Sequence, residues 1–184
     1  MIPCPLETML NEMMRAVDAS MGLVALATAV AVPAICASLS MECGRSGGPD
    51  YKAWCGMNLR PKKGFDLITD EELYSLRNGL LHQGRSEMLT KKKDGSLVDD
   101  HPHNQVKFVE TPAGWTIQDN SVNREYVHSI RDFCGNMANA AIAWRNAQSE
   151  NLTVQKHLKS MLTYRPFESA GISIVTDPPL RAVF

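Results

Sequence analysis

Residues 73–84 read LYSLRNGLLHQG, and the reading of this stretch decides the fold class. Just ahead of it, Thr69 is followed three residues later by Glu72, the spacing of a capping box, in which each side chain satisfies a backbone N–H at a helix start. Asp70 and Glu71 place negative charge at the positive end of the helix dipole, and Gly84 supplies a natural stop. Between these signals Leu73, Tyr74, Leu76, Leu80 and Leu81 recur at helical spacing, which predicts an amphipathic helix.

One residue of that helix is out of place. At 100° per position, Leu73 and Leu80 fall within about 60° of Arg77 on one side, and Tyr74 and Leu81 within about 60° on the other. A permanent charge therefore sits on the axis of the apolar stripe. Buried and unpaired it would cost several kcal/mol, roughly, so Arg77 meets a carboxylate, faces a polar cleft, or stands where an anionic ligand arrives. Gly79 is a second anomaly, since glycine inside a helix costs about 1 kcal/mol relative to alanine and is usually offset by a close approach of backbone or ligand. His82 lies about 140° round from Arg77, so a regular helix points the two apart unless its last turn frays or a second copy supplies the proximity. On spacing alone two plain roles are favoured: an internal ion pair for Arg77, and compensation of the C-terminal dipole for His82.

The segments on either side are also mostly helical in pattern. Pro5 suits a first helical turn, and Leu6, Met9, Leu10, Met13, Met14 and Val17 follow at helical spacing. This helix is expected to run into the Ala-rich stretch, to kink or restart near Pro33, and to end at Cys43-Gly44. Asp50 is expected to cap a short helix, YKAWCGMNL, with Tyr51, Trp54 and Cys55 inward. QVKFVE and GWTIQD, separated by Thr111, Pro112 and Ala113, predict a β-hairpin within an insertion at about 86–120. Helices are expected from Asn123 to Gln148 and from Thr153 to Tyr164; GISIVT reads as a strand and DPPLRAVF as a docked or frayed terminus. The length of 184 residues suits one domain, 1–184, with a single core.

Composition narrows the function classes. The hydrophobic fraction of 44%, the charged fraction of 21% and the net charge of -1 describe a globular chain without general affinity for nucleic acid or anionic membranes. Any polyanion site is local, and from Lys52 to Lys93 there are nine Lys/Arg against five Asp/Glu, including Arg60, Lys62, Lys63, Arg85 and the run Lys91-Lys92-Lys93. The bland reading of that run is a solvated loop. Five widely spaced cysteines with no CxxC pair suggest neither a disulfide framework nor a zinc site, and fit a reducing cytoplasm. His101-Pro102-His103 lacks a second spaced pair of ligands, so no metal is expected. The uncharged run from Ala19 to Met41 is long enough to cross a bilayer. Its small residues, Pro33 and the absence of a flanking basic cluster favour a buried helix, so no membrane association is expected.

The motif Arg77-Asn78-Gly79-Leu80-Leu81-His82 resembles the signature of the HEPN superfamily, an Arg followed by a polar residue with a His four to six positions beyond. AVPAICASL and YKAWC upstream strengthen the likeness, which covers residues 25–85 and, loosely, the helix near Phe133–Trp144; residues 86–120 and the tail are not covered. The resemblance implies a mainly α fold, a HEPN-like antiparallel helical bundle with a small β-hairpin insertion. It also implies pairing of two copies through the motif helix, with Gly79, Leu80 and Leu73 at the seam. The implied activity is metal-independent and cofactor-free: an endoribonuclease of toxin, defence or RNA-processing type, with Arg77, His82 and Asn78 catalytic in a composite dimer cleft. Gln83 and Arg85 extend that site by adjacency, and Lys62, Lys63, Lys91 and Lys92 are candidates to steer RNA. Implied partners are RNA, a second copy of the chain, and an antitoxin or regulatory protein. The alternative is a non-catalytic module of the same fold that binds RNA, a nucleotide or a regulatory protein through the same cleft; a membrane-associated helical protein is a third.

Overall fold

The structure is a computed structural model, and it describes residues 4–59, 68–84, 87–88, 104–109, 116–119 and 125–162. Among these the chain is mainly helical, with six α-helices and four short strands. The segments predicted at 60–67, 85–86, 89–103 and 163–184 lie outside the described residues, including Arg60, both histidines of His101-Pro102-His103, GISIVT and DPPLRAVF.

Helix α1 (Pro5–Asp18) begins with proline at its first position, where the missing N–H costs nothing, and buries Leu6, Leu10, Met13 and Ala16. The chain then turns rather than running on. Met21 N donates to Ala16 O at 2.8 Å, and Ser20 adopts φ +56, a left-handed conformation that ends the helix. Helix α2 (Gly22–Ser40) continues past Pro33 without restarting. Proline removes one backbone donor and disturbs the turn before it. Neighbouring side chains engage carbonyls on both sides of the proline: Tyr51 Oη donates to Val30 O at 3.1 Å, and Ser46 Oγ to Ala34 O at 2.9 Å. Helix α2 is long and apolar enough to span a bilayer, and half of its most apolar window is buried within the fold. It touches α1 and the four helices that follow it, which accounts for its lack of a polar face.

Helix α3 (Gly48–Asn58) starts ahead of the predicted Asp50 cap; Asp50 sits at its third position and its Oδ2 accepts from Gly47 N at 2.7 Å. Tyr51, Trp54 and Cys55 point inward as their spacing requires. Helix α4 (Asp70–Gln83) carries the capping box: Glu72 N donates to Thr69 Oγ1 at 3.1 Å and Thr69 N to Glu72 Oε2 at 2.8 Å. It closes at Gly84, whose φ of +63 suits glycine best.

The sheet departs from the predicted hairpin. Strands β1 (Glu87–Met88), β2 (Asn104–Val109), β3 (Thr116–Asp119) and β4 (Glu125–Ser129) lie in the order β1-β2-β4-β3. Strand β4 separates the two segments expected to pair, running parallel to β2 and antiparallel to β3. Residues 125–129, predicted as the start of a helix, therefore form the second central strand, and the β region extends beyond residue 120. Tyr126 and Ile130 are four apart, so the apolar spacing of the following helix continues backwards into a strand without a change of phase. The boundary is marked instead by Ser129, whose Oγ accepts from Asp132 N at 3.3 Å as the cap of α5 (Ile130–Ala147).

Helix α5 packs against α2 and α1, burying Phe133, Met137 and Ala141, and Trp144 meets Trp54 edge-on at 6.5 Å between ring centroids. Helix α6 (Leu152–Ser160), capped by Asn151, ends before the predicted Tyr164. His128 is buried against Phe108 and Phe133, joining the sheet to the helical core.

Candidate functional site around Arg77 and His82

Helix α4 is held against α3 in antiparallel fashion. The rings of Tyr51 and Tyr74 lie 5.3 Å apart, and Lys52 Nζ pairs with Glu71 Oε2 at 2.6 Å. Gly48 lets the two helices close, since a Cβ there would stand 3.0 Å from the Tyr74 ring. This packing fixes the turn that carries Arg77.

Arg77 is half-buried and has no carboxylate within ion-pairing distance among the described residues. Its Nη1 donates to Asn78 Oδ1 at 2.7 Å and stands 3.4 Å from His82 Nε2. Its Nε is buried without a hydrogen-bond partner. The charge also reaches Tyr51: burial, then the Cys55 thiol, push that phenol well above its ordinary range, and the guanidinium works against both. His82 is exposed, as are Gln83 and Gly84 beside it.

The convergence of Arg77 and His82 within one chain needs neither fraying nor a second copy. Side chains on a helix lean toward its N-terminus, so the imidazole leans back over the preceding turn, and the long arginine stem covers the remaining angle. In the tautomer with Nε2 unprotonated, the imidazole accepts from the guanidinium.

The residues expected at a seam are placed differently from one another. Leu73 is 2% exposed and Gly79 is buried, so both lie within the chain's own core; Leu80 is partly buried against it, and Leu81, at 38%, is the exposed leucine of this helix. Gln83 lies beside His82 at the open end, whereas Arg85, Lys62, Lys63, Lys91 and Lys92 are outside the described residues. Nothing in its spacing singles out Lys52, yet it sits on this flank with its ammonium 5.8 Å from the Tyr74 ring centroid. Among the described residues no group of three or more His, Cys, Asp or Glu is placed to hold a metal ion.

No protein-family model, no curated protein and no solved structure matches this chain. What the site can do follows from its own chemistry. A guanidinium free of carboxylate neutralisation is a phosphate-binding group, and an exposed imidazole in contact with it is a proton acceptor or donor at the same place.

Proposed function

We propose that the chain is a HEPN-type helical protein that cleaves RNA without a metal ion, with Arg77 and His82 at the reacting phosphate. The observation that carries this reading is the 3.4 Å approach of Arg77 Nη1 to His82 Nε2 at an exposed helix end, with no carboxylate on the arginine among the described residues. An RNA phosphate binding to the guanidinium leaves the imidazole beside the adjoining ribose. His82 then takes the proton of the 2′-hydroxyl, and that oxygen attacks phosphorus. Arg77 stabilises the charge of the phosphorane, and Asn78 holds the guanidinium in place. The 5′-oxygen leaves with a proton from a second His82, brought by a second copy of the chain, so the products are a 2′,3′-cyclic phosphate and a 5′-hydroxyl.

A second reading is a non-catalytic module of the same fold that binds RNA, a nucleotide or a regulatory protein. It is favoured by the fact that Arg77 Nη1 already has Asn78 and His82 as neighbours, as a purely structural arginine would.

One experiment separates them. Wild type, His82→Ala and Arg77→Ala are incubated with mixed RNA in EDTA, and the product ends are analysed. The enzyme reading expects 2′,3′-cyclic phosphate ends from wild type alone; equal cleavage by all three proteins, or none by any, sinks it.

A further inference from the structure

The largest run of exposed apolar side chains among the described residues lies at the α1–α2 corner. Met21 is 52% exposed, Leu23 75% and Val24 52%. Beside this ridge runs a valley between the two helices, of about 620 Å³, lined by Met9, Met13, Ala16, Met21, Val24 and Thr28. Ridge and recess thus belong to one patch. A surface that presents both can be its own complement across a twofold axis, where each copy's ridge enters the other's valley.

The charges on the rim point to the same occupant. Asp18 is occupied by Arg131 at 2.7 Å. This leaves Glu12 and Arg15, one turn apart on α1, paired with each other at 2.7 Å and both more than half exposed. An anionic lipid surface or an acidic peptide gains no net attraction from such a rim. A second copy does: antiparallel α1 helices crossing between these positions set Glu12 of each chain against Arg15 of the other, forming two reciprocal ion pairs.

We infer that a second copy of this chain docks here, so that the two α1–α2 hairpins form a four-helix interface. The corner also lies toward the sheet-bearing end of the helices. Gly22 packs on Ile130 and Asp18 pairs with Arg131 where β4 enters α5, and β1 of the same sheet packs on α4. The dimer itself stands independently of the ribonuclease reading, because its test involves no RNA.

The test is sedimentation equilibrium of the full chain, alone and with vesicles of phosphatidylcholine and phosphatidylglycerol. Wild type is expected at twice the chain mass of 20.3 kDa. Val24→Glu is expected at the single-chain mass, and Arg15→Glu is expected to weaken the dimer on the order of tenfold or more. Glu12→Arg combined with Arg15→Glu is expected to restore it, and this swap decides the matter if Val24→Glu loses helicity by circular dichroism. A wild type that stays single at its highest soluble concentration, a dimer unchanged in Val24→Glu and Arg15→Glu, or a single chain that instead floats with vesicles overturns the proposal.

Discussion

Arg77 Nη1 is shared between the neighbouring Asn78 Oδ1, at 2.7 Å, and His82 Nε2, at 3.4 Å. The shorter bond is the anchor. Replacing Asn78 with Ala removes it and frees the guanidinium to swing. On the proposed ribonuclease reading, cleavage is expected to fall by roughly tenfold or more, while unfolding stability falls by only about 0.5–1.5 kcal/mol, the net worth of one hydrogen bond. Single-turnover cleavage and urea titration on the same preparation check both numbers. A stability loss large enough to account for the lost cleavage would assign Asn78 a purely structural role.

The capping box of α4 is exposed and reciprocal, so its worth is readable. Thr69→Ala leaves Glu72 N without its partner and is expected to cost about 1 kcal/mol in urea unfolding. Thr69→Ser, which keeps the oxygen, is expected to lose much less.

Tyr51 fastens α3 to α2 just ahead of Pro33. Its hydroxyl is buried and donates to Val30 O, three residues before the proline. Tyr51→Phe leaves that acceptor without its side-chain donor in the interior, at an expected cost of about 1–3 kcal/mol. Pro33→Ala restores an N–H that bonds Ala29 O, a different acceptor, so its effect is expected to be the same in wild type and in Tyr51→Phe; a larger recovery in the variant would show that the two are connected.

How far the fold could be read from the chain depended on whether its signals are local. Helix α4 was legible because Thr69, Glu72 and Gly84 each act on backbone within one turn. Strand β4 was not, because Tyr126 and Ile130 fit a helical and an extended reading alike, and the pairing with β2 that decides between them comes from the other side of a long connection. The α1–α2 break was hidden by its chemistry: Ala19, Ser20 and Met21 carry no strong stop signal, whereas Pro33, which does, lies inside a helix that continues past it. At the site, angular spacing centred the apolar stripe on Arg77, whereas the buried side of α4 is formed by Leu73, Leu76 and Gly79, with Arg77 half-buried at its edge and Leu81 exposed. Spacing could not place His82 beside Arg77, since the contact depends on side-chain reach rather than on the direction of the Cα.

The buried thiols predict an alkaline limit. Burial pushes Cys134 from an ordinary 9.0 to about 12, and raises Cys36 and Cys55 as well, the latter with help from the Asp70 charge. Unfolded thiols ionise near 9.0 while the folded ones keep their protons. Above that pH the unfolded state binds fewer protons, so stability is lost as pH rises toward the folded values. Each thiol contributes a slope of up to about 1.4 kcal/mol per pH unit. Urea midpoints between pH 8 and 11 are expected to fall steeply in wild type and less so in Cys134→Ala. At neutral pH the exposed Cys43 is expected to react with a thiol reagent well before these three, as peptide mapping would show.

Ser129 is at once the last residue of β4 and the cap of α5, with no linker between strand and helix. The two therefore meet without slack. Ile130, in the first turn of α5, packs on Gly22, where even a methyl group would stand 2.8 Å from its Cδ1. The sheet and the corner formed by the first two helices are thus joined through one serine and the space left by one glycine.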